Sequence, residues 1–143
     1  MFISLYMDTG EESMLKKAIL CVDDEKIILQ SLKAQIKKYF GDRFVYEFAE
    51  SGSEAWEVIE ELQNDGIEIL LIVSDWLMPN MKGDELLIQV HKKYPHIVKV
   101  MLTGQADHDA IERTRQQANL HRCLYKPWEE QELIDTLVSG LNV

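Results

Sequence analysis

A chain of 143 residues with 46% apolar side chains is long enough to fold as one domain around a full hydrophobic core. Its 25 acidic against 15 basic side chains give a formal net charge of -10, the wrong sign for a direct nucleic-acid binder, whose affinity rests on Lys and Arg against phosphate. No stretch approaches the ~20 apolar residues of a membrane span; the opening Met1 to Met7 lacks the basic leader of a signal peptide and runs into Asp8, Glu11 and Glu12, so a soluble cytoplasmic protein is expected.

In chain order, residues 1–16 form an extension ahead of a domain expected over 17–141. Ala18 to Val22 is a short unbroken apolar run, the pattern of a strand buried on both faces. Glu25 to Phe40 follows with helical spacing of Ile28, Leu29, Leu32, Ile36, Tyr39 and Phe40. Phe44 to Ala49 is a second strand; Ser51 or Ser53 caps a helix whose inner stripe is Ala55, Trp56, Ile59 and Leu62. Ile69 to Val73, running into Ser74-Asp75, is the most apolar strand. A helix over Gly83 to Tyr94 is stopped by Pro95, and Ile97 to Leu102 is strand four. A polar helix over Asp107 to Asn119 has a thin stripe of Ala110, Ile111 and Ala118, too little for firm packing. Strand five is His121 to Tyr125 and the last helix is Glu129 to Gly140. Cys21 and Cys123 lack metal-ligand spacing and fall in apolar runs, where a free thiol is a small buried hydrophobe. The four histidines share no metal spacing and are assigned to the surface or to caps.

Five alternating strand–helix pairs mean an α/β fold, a doubly wound parallel sheet with helices on both faces and right-handed crossovers. Ligands of such sheets sit at the carboxyl ends of the strands. There the chain places Asp23 and Asp24, Asp75, Thr103 and Lys126. Clustered carboxylates repel one another unless a cation sits among them, and hard oxygen ligands favour Mg²⁺, which also bridges to phosphate. Asp75, held at the end of a rigid strand, then suits a carboxylate nucleophile that forms an aspartyl-phosphate. Lys126 and the metal would offset phosphoryl charge and Thr103 would hydrogen-bond a phosphoryl oxygen. Singly, each residue has a simpler use: Asp24 as a cap for the helix from Glu25, Thr103 as a turn former, Lys126 as a solvated lysine. Their joint occurrence at four strand ends favours the site.

Val22-Asp23-Asp24-Glu25, Ser74-Asp75-Trp76-Leu77-Met78-Pro79-Asn80-Met81-Lys82-Gly83, Met101-Leu102-Thr103-Gly104 and Tyr125-Lys126-Pro127-Trp128 resemble the four signature stretches of two-component response-regulator receiver domains. The resemblance spans about residues 17–141. It implies a flavodoxin-like five-stranded sheet in the order 2-1-3-4-5 with five flanking helices, and a phosphorelay switch that is not an enzyme in the usual sense. In that order two strands separate Cys21 from Cys123 by roughly 14 Å at ~4.8 Å per strand, too far for a disulfide. Position by position, the resemblance implies Asp75 as phospho-acceptor, Asp24 and Asp75 as direct Mg²⁺ ligands with the backbone carbonyl of Leu77, and Asp23 acting on the metal mainly through water. Thr103 matches the switch hydroxyl and Lys126 the phosphate-pairing lysine, whose bond to Pro127 is cis in the family. The implied partners are a sensor histidine kinase or histidine phosphotransfer protein as donor, and an output domain or effector. Thr103-Gly104-Gln105-Ala106 with Lys126-Pro127-Trp128 looks like a subgroup often joined to cyclases, nucleotide phosphodiesterases or kinases.

Two departures stand out. Family members carry Tyr or Phe three residues before the lysine; here Cys123 stands there, with His121 and Tyr125 as possible substitutes. Leu77 and Gln105, two residues after the acceptor and after the threonine, cannot position an attacking water as charged groups, which implies slow self-dephosphorylation. Among rivals, a haloacid-dehalogenase-type phosphatase needs an acid where Leu77 stands. A flavodoxin-like cofactor carrier needs a phosphate-cradling loop where Asp23 and Asp24 stand. A receiver that has lost phosphorylation and only binds protein is the remaining alternative.

Overall fold

Strands buried on both faces should be almost wholly apolar, and in the computed structural model the central ones are. The structure describes residues 16–105 and 107–142, so the expected extension, apart from Lys16, and Ala106 of the fourth strand-end stretch lie outside the described residues. The elements are β1 (Lys17–Val22), α1 (Lys26–Phe40), a 3-10 turn at Gly41–Arg43, β2 (Val45–Ala49), α2 (Gly52–Asn64), β3 (Glu68–Asp75), α3 (Gly83–Lys93), β4 (Val98–Thr103), α4 (His108–Ala118), β5 (Arg122–Tyr125) and α5 (Glu130–Leu141). All four strand pairings are parallel and the order is β2-β1-β3-β4-β5, as the resemblance implied.

Period-two alternation divides the sheet's side chains between two layers. Ala18, Leu20, Val22, Ile72 and Met101 face α2, α3 and α4, where Ile59, Leu86, Leu87, Val90 and Ile111 complete one core. Ile19, Cys21, Leu71, Val73, Val100, Leu102 and Leu124 face α1 and α5, where Leu32, Ile36, Leu133 and Leu137 complete the other. A register shift between Ala18 and Ile19 lets β3 carry one extra residue, Leu70, so that Ile69 and Leu71 serve opposite cores. Cys21 in β1 and Cys123 in β5 are free thiols with β3 and β4 between them.

Of the two serines offered as the cap of α2, Ser51 takes the role by accepting from the Glu54 amide. Several other local expectations need correction. No side chain caps α1, whose N-cap residue is Glu25, so Asp24 is not spent on that task. Tyr39 is exposed and Trp56 only half-buried; the Trp56 Nε1–H donates to Gln89 Oε1 (2.9 Å) across the surface of α3. Helix α4 is packed more firmly than its composition implied, since Thr114 joins Ala110, Ile111 and Ala118 in the buried face and Arg113 pairs with Asp84 of α3. His91 is not a free surface group: its Nδ1 lies 2.7 Å from Nζ of Lys99, which is 1% exposed in the middle of the sheet.

Candidate functional site

The carboxyl edge of the sheet is where strand pairing hands over to loops, and the ladder continues into those loops. The Asp23 amide donates to Ala49 O (3.1 Å), the Trp76 amide to Leu102 O (2.8 Å) and the Lys126 amide to Thr103 O (2.8 Å). The strand-end residues nominated from the sequence are thus held, directly or through a neighbour, by backbone hydrogen bonds between adjacent strands. Asp75 ends the longest strand and is 5% exposed; Asp23 is fully buried, Thr103 nearly so, and Asp24 is exposed. Ser74 Oγ donates to Asp75 O (3.0 Å). The start of α3 presses on that same carbonyl: a Cβ on Gly83 would lie 1.9 Å from Asp75 O, so only glycine fits there.

Asp23, Asp24 and Asp75 each offer an oxygen within 4.8 Å of the others. Opposite them Lys126 Nζ lies 2.9 Å from Asp23 Oδ2 and 3.1 Å from Asp75 Oδ1, with Glu25 Oε1 at 3.6 Å. The Lys126 peptide bond to Pro127 is cis. An open cavity of about 360 Å³ is lined by Asp24, Glu25, Asp75, Leu77, Thr103, Gly104, Gln105 and Lys126. Every residue nominated from the sequence is therefore brought to one place: Asp24, Asp75, Leu77, Thr103 and Lys126 line the cavity, and Asp23 sits beneath it on Lys126. Glu25 was missed as a partner of Lys126. Its place beside Asp23-Asp24 was the only sequence signal available.

Electrostatics mark the site as one short of positive charge. Burial pushes the Asp75 carboxyl up to about 6, the Asp23 charge adds to the rise, and Lys126 opposes it. Asp23 is raised by burial as well, against the Glu25 amide and Lys126. Burial pulls Lys126 down, but its hydrogen bonds and charge interactions with Asp23 and Asp75 outweigh that and leave it raised. Three carboxylates around one ammonium, with cavity left over, fit a hard divalent cation: the donors are all oxygen and the cluster carries surplus negative charge.

Comparison with known proteins agrees with this geometry. The sequence pattern of the response regulator receiver domain matches residues 19–138. The chain belongs to this family. It is 30% identical over 126 residues to a chemotaxis protein CheY homolog of Campylobacter jejuni, covering 87% of this chain and 92% of that protein. It is 29% identical over 119 residues to the hydrogenase transcriptional regulatory protein HoxA of Cupriavidus necator, covering 83% of this chain but only 23% of HoxA. Among solved structures, the signal receiver domain of an HD domain-containing protein from Pseudomonas fluorescens Pf-5 superposes with a TM-score of 0.79 at 29% identity, covering 89% of this chain and 95% of that one. The receiver thus carries an acidic cluster able to bind a metal, on a five-stranded flavodoxin-like sheet.

The departure at Cys123 has a structural outcome. Cys123 is half-buried against the α2–α4 core, where burial pushes its thiol up to about 11. Of its two suggested substitutes, His121 lies at the opposite end of β5 and is bound to α5, with Nε2 2.8 Å from Ser139 Oγ and 3.2 Å from Thr136 O. Tyr125 pairs in register with Thr103 and is 47% exposed. Of the two, only Tyr125 stands beside the threonine. Among the described residues, no helix is long and apolar enough to cross a membrane.

Proposed function

We propose that this receiver accepts a phosphoryl group on Asp75 in a Mg²⁺-dependent reaction and thereby switches its contacts with an output domain or effector. The observation that carries this reading is the placement of Lys126 Nζ 3.1 Å from Asp75 Oδ1, across from the carboxylate trio. An Asp75 oxygen attacks the phosphorus of a phosphohistidine on a sensor kinase or phosphotransfer protein; the P–O bond forms, the P–N bond breaks, and the donor imidazole leaves with the bonding electron pair. Lys126 pairs with the phosphoryl oxygens, exchanging part of its contact with Asp75 for them. Thr103 donates its hydroxyl proton to another. Asp24, Asp75 and the Leu77 carbonyl would hold Mg²⁺ directly and Asp23 through water; bound there, the ion supplies charge neutralisation on the transferring phosphoryl group.

The acting unit is taken as residues 17–141, working in the cytoplasm without touching nucleic acid or membrane itself. Leu77 is 50% exposed at the cavity and apolar, and Gln105 is neutral, so neither activates water and the aspartyl-phosphate is expected to be slow to hydrolyse. A half-life of seconds would contradict that. The test of the central claim is modification by acetyl phosphate, followed by mass spectrometry, on wild type and Asp75→Asn with and without Mg²⁺. Mg²⁺-dependent addition of one phosphoryl group, absent in Asp75→Asn, is the expected result. No addition and no Mg²⁺ binding would leave a protein-binding module in its place.

A further inference from the structure

With Cys123 at the usual aromatic position, contacts outside β5 are candidates for the route from the phosphorylation site to the outer surface. One such route is built on α3 and α4. It starts at Gly83, pressed against the carbonyl of Asp75. The next residue, Asp84, is 1% exposed and points away from solvent toward α4. Its Oδ2 receives the guanidinium of Arg113, and its Oδ1 has no hydrogen-bond partner among the described residues. This is the only ion pair joining α4 to another element among the described residues, since Arg115 pairs with Glu112 within α4. The rest of the buried face of α4 is small: Ala110, Ile111, Thr114 and Ala118. With few large apolar residues on that face, α4 depends for its position on this ion pair, whose carboxylate is buried while the Arg113 side chain stays 46% exposed.

Thr103 holds the segment ahead of α4. Its Oγ1 donates to Gln105 O and accepts from the Gln105 amide, so the hydroxyl's one proton is committed to the segment leading into α4. Donating to a phosphoryl oxygen requires releasing Gln105 O, because a hydroxyl has a single proton to give. Phosphorylation would thus free the Gln105 carbonyl ahead of α4 and leave the Asp84–Arg113 pair, midway along the helix, as the contact that holds it.

We propose that the Asp84–Arg113 pair is a latch that holds α4 in its resting position and sets the threshold for switching. The proposal rests on the reading of Asp75 as phospho-acceptor. A contact made only in the resting state lowers the apparent affinity for anything that binds the activated state, by the factor with which it favours rest. Removing it therefore raises that affinity.

The experiment uses beryllofluoride with Mg²⁺ as the probe, titrated by NMR or tryptophan fluorescence. Amide hydrogen exchange in α4 is measured on the probe-free proteins in parallel. Arg113→Gln is expected to tighten beryllofluoride binding by about tenfold, within the usual range of coupling between sites, and to speed exchange in α4. Arg115→Gln, which touches only the internal pair of α4, is expected to change neither. Since Arg113→Gln leaves Asp84 buried and unpaired, the double variant Asp84→Asn/Arg113→Gln is made alongside it and is expected to show the same tightening. Unchanged beryllofluoride affinity in both variants would overturn the latch, even if α4 exchange quickens, because the pair would then be a plain packing contact. Failure of the wild type to bind beryllofluoride would instead overturn the phospho-acceptor reading and the latch with it.

Discussion

Two lysines, one at each end of the same sheet, are withdrawn from solvent, Lys99 fully and Lys126 in part, and they are opposites. Lys126, at the carboxyl edge, is 16% exposed and surrounded by Asp23, Asp75 and Glu25; its ammonium is favoured and its pKa raised. Lys99, toward the amino-terminal half of β4, is 1% exposed and meets no carboxylate among the described residues. Its Nζ reaches His91 Nδ1 at 2.7 Å and Pro95 O at 3.2 Å, and burial lowers its pKa from the usual 10.5 to about 8. Burial alone therefore does not mark a functional lysine. What distinguishes Lys126 is surplus negative charge around it, arranged at strand ends where a ligand can enter; Lys99 carries a desolvation penalty that its surroundings only partly offset.

The largest effect is expected from removing the cation where carboxylates depend on it. Lys126→Met leaves Asp23 and Asp75 facing each other in a buried site. In the absence of divalent metal the variant should lose about 3 kcal/mol at pH 7, typical of breaking a buried pair by deleting one partner, as read by urea unfolding. Millimolar Mg²⁺ should restore a greater share of stability to the variant than to the wild type, since the ion then carries the whole neutralisation. Phosphorylation by acetyl phosphate should drop as well. A variant as stable as wild type without Mg²⁺ would break the contrast between the two lysines.

Lys126 was legible in the sequence and Lys99 was not, and the reason is physical. The strands announced themselves through unbroken apolar runs, and strand ends in a doubly wound sheet are the places where ligands gather. Asp23, Asp24, Asp75, Thr103 and Lys126 could all be nominated from that rule, and the resemblance supplied strand order and roles. Lys99 interrupts an apolar run, but a lone Lys between two valines fits an edge or a bulge as readily as a buried neighbour for His91. The partner lies eight residues back on α3, and only the helix-to-strand crossover brings them together. Asp84 and Arg113 were hidden for the same reason: they are 29 residues apart on two helices, and each alone looks like an ordinary polar position of an amphipathic helix. The firmness of α4 was underestimated because composition counts apolar residues and is blind to a buried Thr114 and to an ion pair on a buried carboxylate.

The pH dependence of stability should separate the two lysines with opposite signs. For Lys99 the folded pKa lies below the unfolded one, so between about 8 and 10.5 the unfolded chain binds the proton that the folded chain has lost, and stability rises with pH across that window. The full rise is about 3 kcal/mol at most, from 1.36 kcal/mol per pKa unit. Lys126, whose folded pKa is raised, contributes stability that is whole below 10.5 and is lost only above it. His91, lowered by burial and then by Lys99, adds a loss on the acid side as pH falls below 6.5. Cys21 and Cys123, both raised by burial, lower stability above pH 9 and mask this rise in the wild type alone. The quantity to follow from pH 7.5 to 10.5 is therefore the difference in denaturant midpoint between Lys99→Met and wild type, which should shrink as pH rises. A constant difference would show that Lys99 is better solvated or better paired than its contacts imply.

The smallest and sharpest comparison is Lys99→Met, which keeps the unbranched stem to within one atom and removes the charge. Replacing a buried charge by an apolar group of similar shape is neutral to stabilising in well-packed sites, and here about 1–2 kcal/mol of added stability at pH 7 is expected. The gain should vanish by pH 10.5, where the wild-type ammonium has already lost its proton, so the two stability curves converge at high pH. His91 keeps water as an alternative partner and Pro95 O can do the same, so the substitution strands no buried donor or acceptor of consequence. Phosphorylation of Asp75 should be unaffected, since Lys99 contributes nothing to the carboxyl edge. If Lys99→Met instead destabilises the fold while leaving phosphorylation intact, the ammonium is an effective tie between β4, His91 and Pro95 O. The lesson drawn from comparing the two lysines would then reverse for this end of the sheet.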